Sequence, residues 1–224
     1  MEATVRTNSL PTIPEGIVDR PYMGRFGQLN TQDWKQALIV SGKAFYAKVG
    51  AFSTPVVGGG AGTAIDLDQP EFGISIPSGK VLIPLLVQVQ AQVPLLATDA
   101  DESEILLAAD IATAAKLDGT WTNTITPINL KTNSAEVSAS TVKSECTADT
   151  TDPVLDLELA RAVITGDVQD TPANSIWTRL ELNHDPRLPV FLVGPASLFL
   201  YWGGTVATSA FAQIMWAEIN TTDL

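Results

Sequence analysis

Cysteine and histidine are each represented once in this chain of 224 residues. A lone Cys146 cannot close an intrachain disulfide, nor can it assemble a cysteine-based zinc site within one chain. His184 lies in Asn183-His184-Asp185-Pro186, a turn-type sequence after a strand-like run, and reads as a turn residue rather than a catalytic base. With no second histidine, neither a Ser-His-Asp nor a Cys-His arrangement has support. Basic residues are also scarce. Thirteen Lys and Arg stand against 25 Asp and Glu, a formal charge of -12, so a phosphate backbone would be repelled and direct nucleic-acid binding is not expected. No long uninterrupted apolar run is present either. The longest, Val81 to Leu96, is broken by Pro84, Gln88, Gln90, Gln92 and Pro94, which is wrong for a membrane helix. The opening MEATVRTNSLPTIPEG lacks the apolar run and cleavage site of a signal peptide, so synthesis and folding in a cytoplasm are expected, with no membrane partner.

What is present is material for a core. Apolar residues make up 45% of the chain and charged residues only 17%, the balance of a folding sequence rather than a disordered one. Residues 1–35, with Pro11, Pro14 and Pro21 and no sustained period, read as an extended N-terminal arm. Its apolar side chains, Tyr22, Phe26 and Trp34 among them, are candidates to dock on another chain, with Arg25 beside them. Residues 36–224 read as a succession of short strands. ALIVSG and KAFYAKVGAF come first, followed by a glycine-rich loop from Val56 to Thr63. In VLIPLLVQVQAQVPLL the odd positions are all apolar, which places Val81, Ile83, Leu85, Val87 and Val89 inward and Gln88, Gln90 and Gln92 outward. Pro84 and Pro94 cannot donate to a ladder and belong at an edge, a bulge or a strand end.

The segment from Glu104 to Leu117 alternates at Ile105, Leu107, Ala109, Ile111 and Thr113, which favours a strand over the helix that its alanines would allow. In LDLELARAVITG, Leu155, Leu157, Leu159 and Val163 fall on one side, Asp156 and Glu158 on the other. WTRLELN, VFLVGPASLFLYWGG and FAQIMWAEIN close the chain, the last two joined through Gly203-Gly204 as a C-terminal hairpin. About ten strands separated by turn signals give an all-β class, an antiparallel jelly-roll-like β-sandwich. The last two runs carry large residues on both faces, so Tyr201 and Trp216 are candidates for an oligomer interface.

The motifs that carry chemistry are few. Asp99, Asp101, Glu102 and Glu104 cluster closely enough to interest a Ca2+ ion, but EF-hand spacing and its glycine are missing, and a solvated acidic loop is the plainer reading. Asp149, Asp152 and Asp156 are a weaker set of the same kind. Gly58-Gly59-Gly60-Ala61-Gly62-Thr63 lacks the Lys and the following helix of a phosphate loop. Trp202 and Trp216 suit a core or an interface better than a sugar platform. No catalytic, cofactor or metal-ligating residue is expected, and the chain is read as a non-enzyme.

The stretch Ser9-Leu-Pro-Thr-Ile-Pro-Glu-Gly-Ile-Val-Asp-Arg-Pro-Tyr-Met-Gly-Arg-Phe-Gly27, with the ending Gly194-Pro-Ala-Ser-Leu-Phe-Leu-Tyr-Trp202, resembles small virion proteins of tailed bacteriophages, of the head decoration or cement type. The resemblance implies a structural protein on the capsid surface of a virion. Its partner would be the major capsid protein, its copies would form a homotrimer, and its arm would clamp neighbouring subunits. It carries no catalytic or binding motif. Two other classes fit an all-β body: a receptor- or carbohydrate-binding β-sandwich module, and a single jelly-roll capsid subunit.

Overall fold

The computed structural model describes residues 33–59, 65–94, 101–111, 117–148, 153–166, 175–183, 190–204 and 208–223. The chain divides between Ala37 and Leu38, and only residues 33–37 of the first unit are described. Among the described residues there is one α-helix, α1 (Trp34–Val40), and a set of strands: β1 (Ala44–Val49), β2 (Val56–Val57), β3 (Phe72–Ile76), β4 (Lys80–Pro94), β5 (Asp101–Asp110), β6 (Thr120–Ile125), β7 (Ile128–Asn129), β8 (Thr141–Ala148), β9 (Leu157–Gly166), β10 (Ser175–Asn183), β11 (Leu192–Val193), β12 (Ala196–Gly204) and β13 (Ser209–Asn220). Ten of these have five residues or more, as the turn spacing predicts. No described helix is long and apolar enough to cross a membrane.

The strands form two antiparallel sheets packed face to face, so the expected all-β sandwich is observed. The first runs β10-β4-β13-β1-β7, with β11 added along β4 and β2 along β13; the second runs β6-β8-β3-β12-β5-β9. Between them lies the main core, with Phe45, Val87, Val89, Ile214 and Trp216 from the first sheet meeting Phe72, Ile74, Ile105, Leu107, Leu198 and Trp202 from the second. Each such side chain, fully buried, contributes about 1.5–3 kcal/mol relative to exposure.

The first apolar run is a helix, not the strand expected from ALIVSG. Asp33 caps it, its Oδ1 accepting from Lys35 N at 2.8 Å. Its other end closes at Gly42, whose φ of +75° lets Gly42 N donate to Ile39 O and Lys43 N donate to Leu38 O. A four-residue apolar run bounded by both caps cannot be told from a strand by periodicity alone.

β4 departs from simple alternation for a reason its proline supplies. Trp216 faces Pro84 and Met215 faces Leu86, so Leu85 is an extra residue and the strand bulges there. The bulge inverts the faces. Val87, Val89 and Ala91 point into the main core as the period predicts, but Val81, Ile83 and Leu85 point the other way, buried under Leu38, Ile39 and Leu130. Along its other edge β4 pairs with β11 at Val81 and Leu82 and with β10 from Leu86 onward, so Pro84 sits between the two pairings, where among the described residues no partner asks for an N–H. Pro94 ends the strand, and Gln90 is exposed with Gln88 and Gln92 half-buried, all as expected.

β5 is a strand, as its alternation predicts, and Asp101 and Glu102 belong to it rather than to an acidic turn. β9 carries a second bulge, at Leu159, between the pairs Leu107–Ala160 and Ala108–Glu158. Leu159, Ala160 and Ala162 therefore pack on the core while Leu157 and Val163 face outward at 38% and 60% exposure, which breaks the single apolar side expected for this run.

β12 and β13 do not form a hairpin. β12 lies between β3 and β5 in one sheet, and β13 between β4 and β1 in the other. A short glycine-containing connection between two strand-like runs suggests a hairpin, but residues large on both faces call for two central strands, each with both edges already paired.

Candidate functional site

Of the residues singled out in sequence, Tyr22, Arg25, Phe26, Asp99, Asp149, Asp152 and His184 lie outside the described residues. Trp34 opens α1 at 36% exposure, with Lys35 Nζ 5.9 Å from its ring centre. Tyr201 and Trp216 are both fully buried within the single chain, so neither side chain is at its surface. Tyr201 packs with Phe199, Leu106 and Ala108 on the outer face of the second sheet, covered by Leu117, Trp121, Ile65 and Leu155. Trp216 sits in the main core beside Phe45, its Nε1 donating to Glu218 Oε1 at 2.8 Å. Glu104 is engaged by Arg161, which also forks onto Glu158 at 3.0 and 2.8 Å. Asp156 accepts from Ile111 N at 3.0 Å. Among the described residues, no group of three His, Cys, Asp or Glu side chains is placed to hold a metal ion.

Two concave features are lined by described residues. The larger, about 660 Å3, is lined by Gln69, Glu71, Thr122, Glu145, Cys146 and Thr147. Glu71, just before β3, is 3% exposed. Its carboxyl accepts from Gly59 N at 2.6 Å and from Trp202 N at 2.9 Å, and so ties the glycine-rich loop to β12. Burial pushes its pKa up to about 8; the two backbone donors pull it down and nearby Asp66 adds to the rise. Gly58 is required here by close approach, because a Cβ would stand 1.9 Å from Trp202 O. Gly58 and Gly59 fit the fold as a strap between sheets, while Gly60 to Thr63 lie outside the described residues. Across the cavity Glu145 takes a φ of 58°, rare for a residue with a side chain, where Glu145 N and Cys146 N donate to Glu71 O and Pro70 O. Cys146 is buried.

The smaller feature, about 230 Å3, lies on the outer face of the first sheet, lined by Tyr46, Lys48, Phe52, Gln88, Gln90 and Gln213 among the described residues. Lys48, Gln213, Gln88 and Glu181 form one cross-strand row through β1, β13, β4 and β10. Gln213 Nε2 donates to Gln88 Oε1, and Gln88 Nε2 donates to Glu181 Oε2 at 2.9 Å. Arg179 and Asn183 donate to the same carboxylate. These bonds hold the Glu181 carboxyl below the usual range, Asn183 and Gln88 contributing most. The period of β4 announces this polar face, but the neighbours that complete it come from strands far away in sequence.

No protein-family model and no curated protein matches the chain.

Proposed function

We propose that this protein is a non-enzymatic structural component of a virion, a cement or decoration subunit on the outside of a phage head, with the major capsid protein as its partner. The observation that carries this reading is the order of eight strands, β1, β3, β4, β5, β9, β10, β12 and β13. The first pairs with the last, the second with the seventh, the third with the sixth and the fourth with the fifth. Such nested pairing supports a jelly-roll reading of the sandwich, an architecture recurrent in viral capsid domains and in lectins. A fold alone does not assign a role. The likeness of Ser9–Gly27 and Gly194–Trp202 to phage head proteins supplies the bias toward the virion, and the charge of -12 suits a basic docking surface. Trimeric association follows from the same likeness.

The test is a measurement of mass in solution followed by incubation with purified empty phage heads. A trimer that co-sediments with heads to a fixed copy number, and is released by salt, is the expected result. A monomer that leaves every head bare overturns the assignment.

A further inference from the structure

We propose that the folded chain joins Lys80 to Asn220 through an isopeptide bond of its own making, with Asp223 moving the proton that the reaction requires. This cross-link does not rest on the virion role proposed above.

Lys80 opens β4 and Asn220 closes β13, and the two are cross-strand partners in the ladder. Side chains so paired share a face of the sheet. Lys80 Nζ donates to Asn220 Oδ1 at 2.8 Å, in a half-buried contact that spans 140 residues of sequence. At the nitrogen of the same amide, Asn220 Nδ2 donates to Asp223 Oδ2 at 2.9 Å, and Asn220 N reaches that oxygen at 3.3 Å. A lysine hydrogen-bonded to an amide is by itself an ordinary sheet contact. The carboxylate on the amide nitrogen adds what a reaction needs, because an amine, the carbonyl beside it and a proton carrier at the leaving group are then assembled in one place. The backbone on both sides is pinned. Thr221 N donates to Gly79 O at 3.0 Å and Lys80 N to Pro77 O at 3.2 Å, which fixes the turn before β4 against the turn after β13. Groups held together in this way meet as though at very high concentration, and an amide otherwise inert to amines can react.

The atoms balance without a cofactor or an oxidant. The neutral Nζ of Lys80 attacks Cγ of Asn220, a C–N bond forms, and Nζ gives up one proton. Asp223 takes that proton and delivers it to Nδ2, the Cγ–Nδ2 bond breaks, and ammonia leaves. One amide replaces another, so the escape of ammonia carries the reaction forward. The product ties the first residue of β4 to the last of β13, the strand that lies between β4 and β1 in the first sheet. Once tied, that end of β13 cannot part from β4 by loss of hydrogen bonds alone, which protects the sheet against heat and against pulling on the strand.

Mass spectrometry of the full chain tests the bond. Protein kept folded at about pH 9, which raises the share of neutral amine, is expected to end about 17 Da lighter than its sequence requires, the mass of one ammonia, and to yield on tryptic digestion a branched peptide joining Lys80 to Asn220. Lys80→Arg and Asn220→Ala should keep the full mass. Asp223→Ala, a change at an exposed position, should form the bond about tenfold more slowly than the wild type, with an unchanged thermal melt showing that the variant remains folded. Closure of Asn220 on its own backbone would also release ammonia, but it leaves a linear peptide. That result overturns the proposal, as does full mass in the wild type, loss of ammonia by Lys80→Arg, or an undiminished rate in Asp223→Ala.

Discussion

A carboxyl group closed off from water and held by backbone N–H groups alone faces two opposed forces, and at Glu71 burial wins. An unfolded glutamate titrates near 4.5 and the folded one at about 8. Between those values the folded chain keeps a proton that the unfolded chain has released. Stability is therefore full below the unfolded value and falls as pH rises toward the folded one, by about 1.4 kcal/mol per pH unit within the window. Glu71→Gln cannot ionise and should lack this slope, at the expense of one hydrogen bond, because its amide nitrogen would face a donor. Urea melts from about pH 5 to about pH 8 should show the wild type losing its advantage over the variant as pH rises. Parallel curves for the two would mean that Glu71 does not titrate in this range. Nothing in the sequence marks this residue. Gln69-Pro70-Glu71-Phe72 reads as an ordinary lead-in to a strand, and burial arises only when Gly59 and Trp202 are brought to it by the fold.

At the scale of elements, alternation was legible wherever a strand keeps its register and misleading wherever it bulges. Val87 and Val89 follow the period; Val81, Ile83 and Leu85 are apolar at the same parity but serve a different core, because Leu85 shifts the pleat. Pro84 was the available signal, since a proline within a long strand points to a bulge or a gap in pairing. The double-sided β12 and β13 were legible as buried, though not as members of separate sheets. Their burial inside one chain leads to a definite expectation. Tyr201→Ala and Trp216→Ala should each cost about 3–5 kcal/mol of stability, as truncation of an enclosed aromatic does. The tryptophan change also leaves Glu218 without one of its donors, while Ala139 N at 2.8 Å and Ser138 Oγ remain on that carboxylate. Thermal melting and sedimentation together decide the matter. Lower melting temperature with unchanged mass is expected for both, and a change of mass without loss of stability would contradict core placement.

Over the whole molecule the pairing is between segments remote in sequence, Ala44 with Ala217 and Ser175 with Pro94 among them. Sequence pattern announces strands but not such partners, which is why the class of the fold could be read and the pairing of its strands could not. Remote pairing also orders the stability of the parts. β4, β12 and β13 each have a strand on either side, and Leu198, Leu200, Trp202, Ile214 and Trp216 on the last two are closed from solvent. β6, β7, β9 and β10 end their sheets, and on β9 the outward Val163 and Leu157 contribute little to burial. An edge strand can leave its neighbour at the cost of one ladder, whereas freeing β13 separates β1 from β4 and takes both halves of the first sheet apart. Amides of the edge strands are thus expected to exchange through local opening, and those of β12 and β13 only through global unfolding. Hydrogen exchange read by mass spectrometry should find the peptides covering 196–204 and 209–220 slowest, with a common rate that tracks denaturant as the global transition does. The peptides covering 120–125 and 157–166 should exchange earlier and respond weakly to denaturant. Exchange at 209–220 as fast as at 157–166 would mean that the central strand opens by itself, and the pairing of β13 with β1 and β4 would not then be what holds the first sheet together.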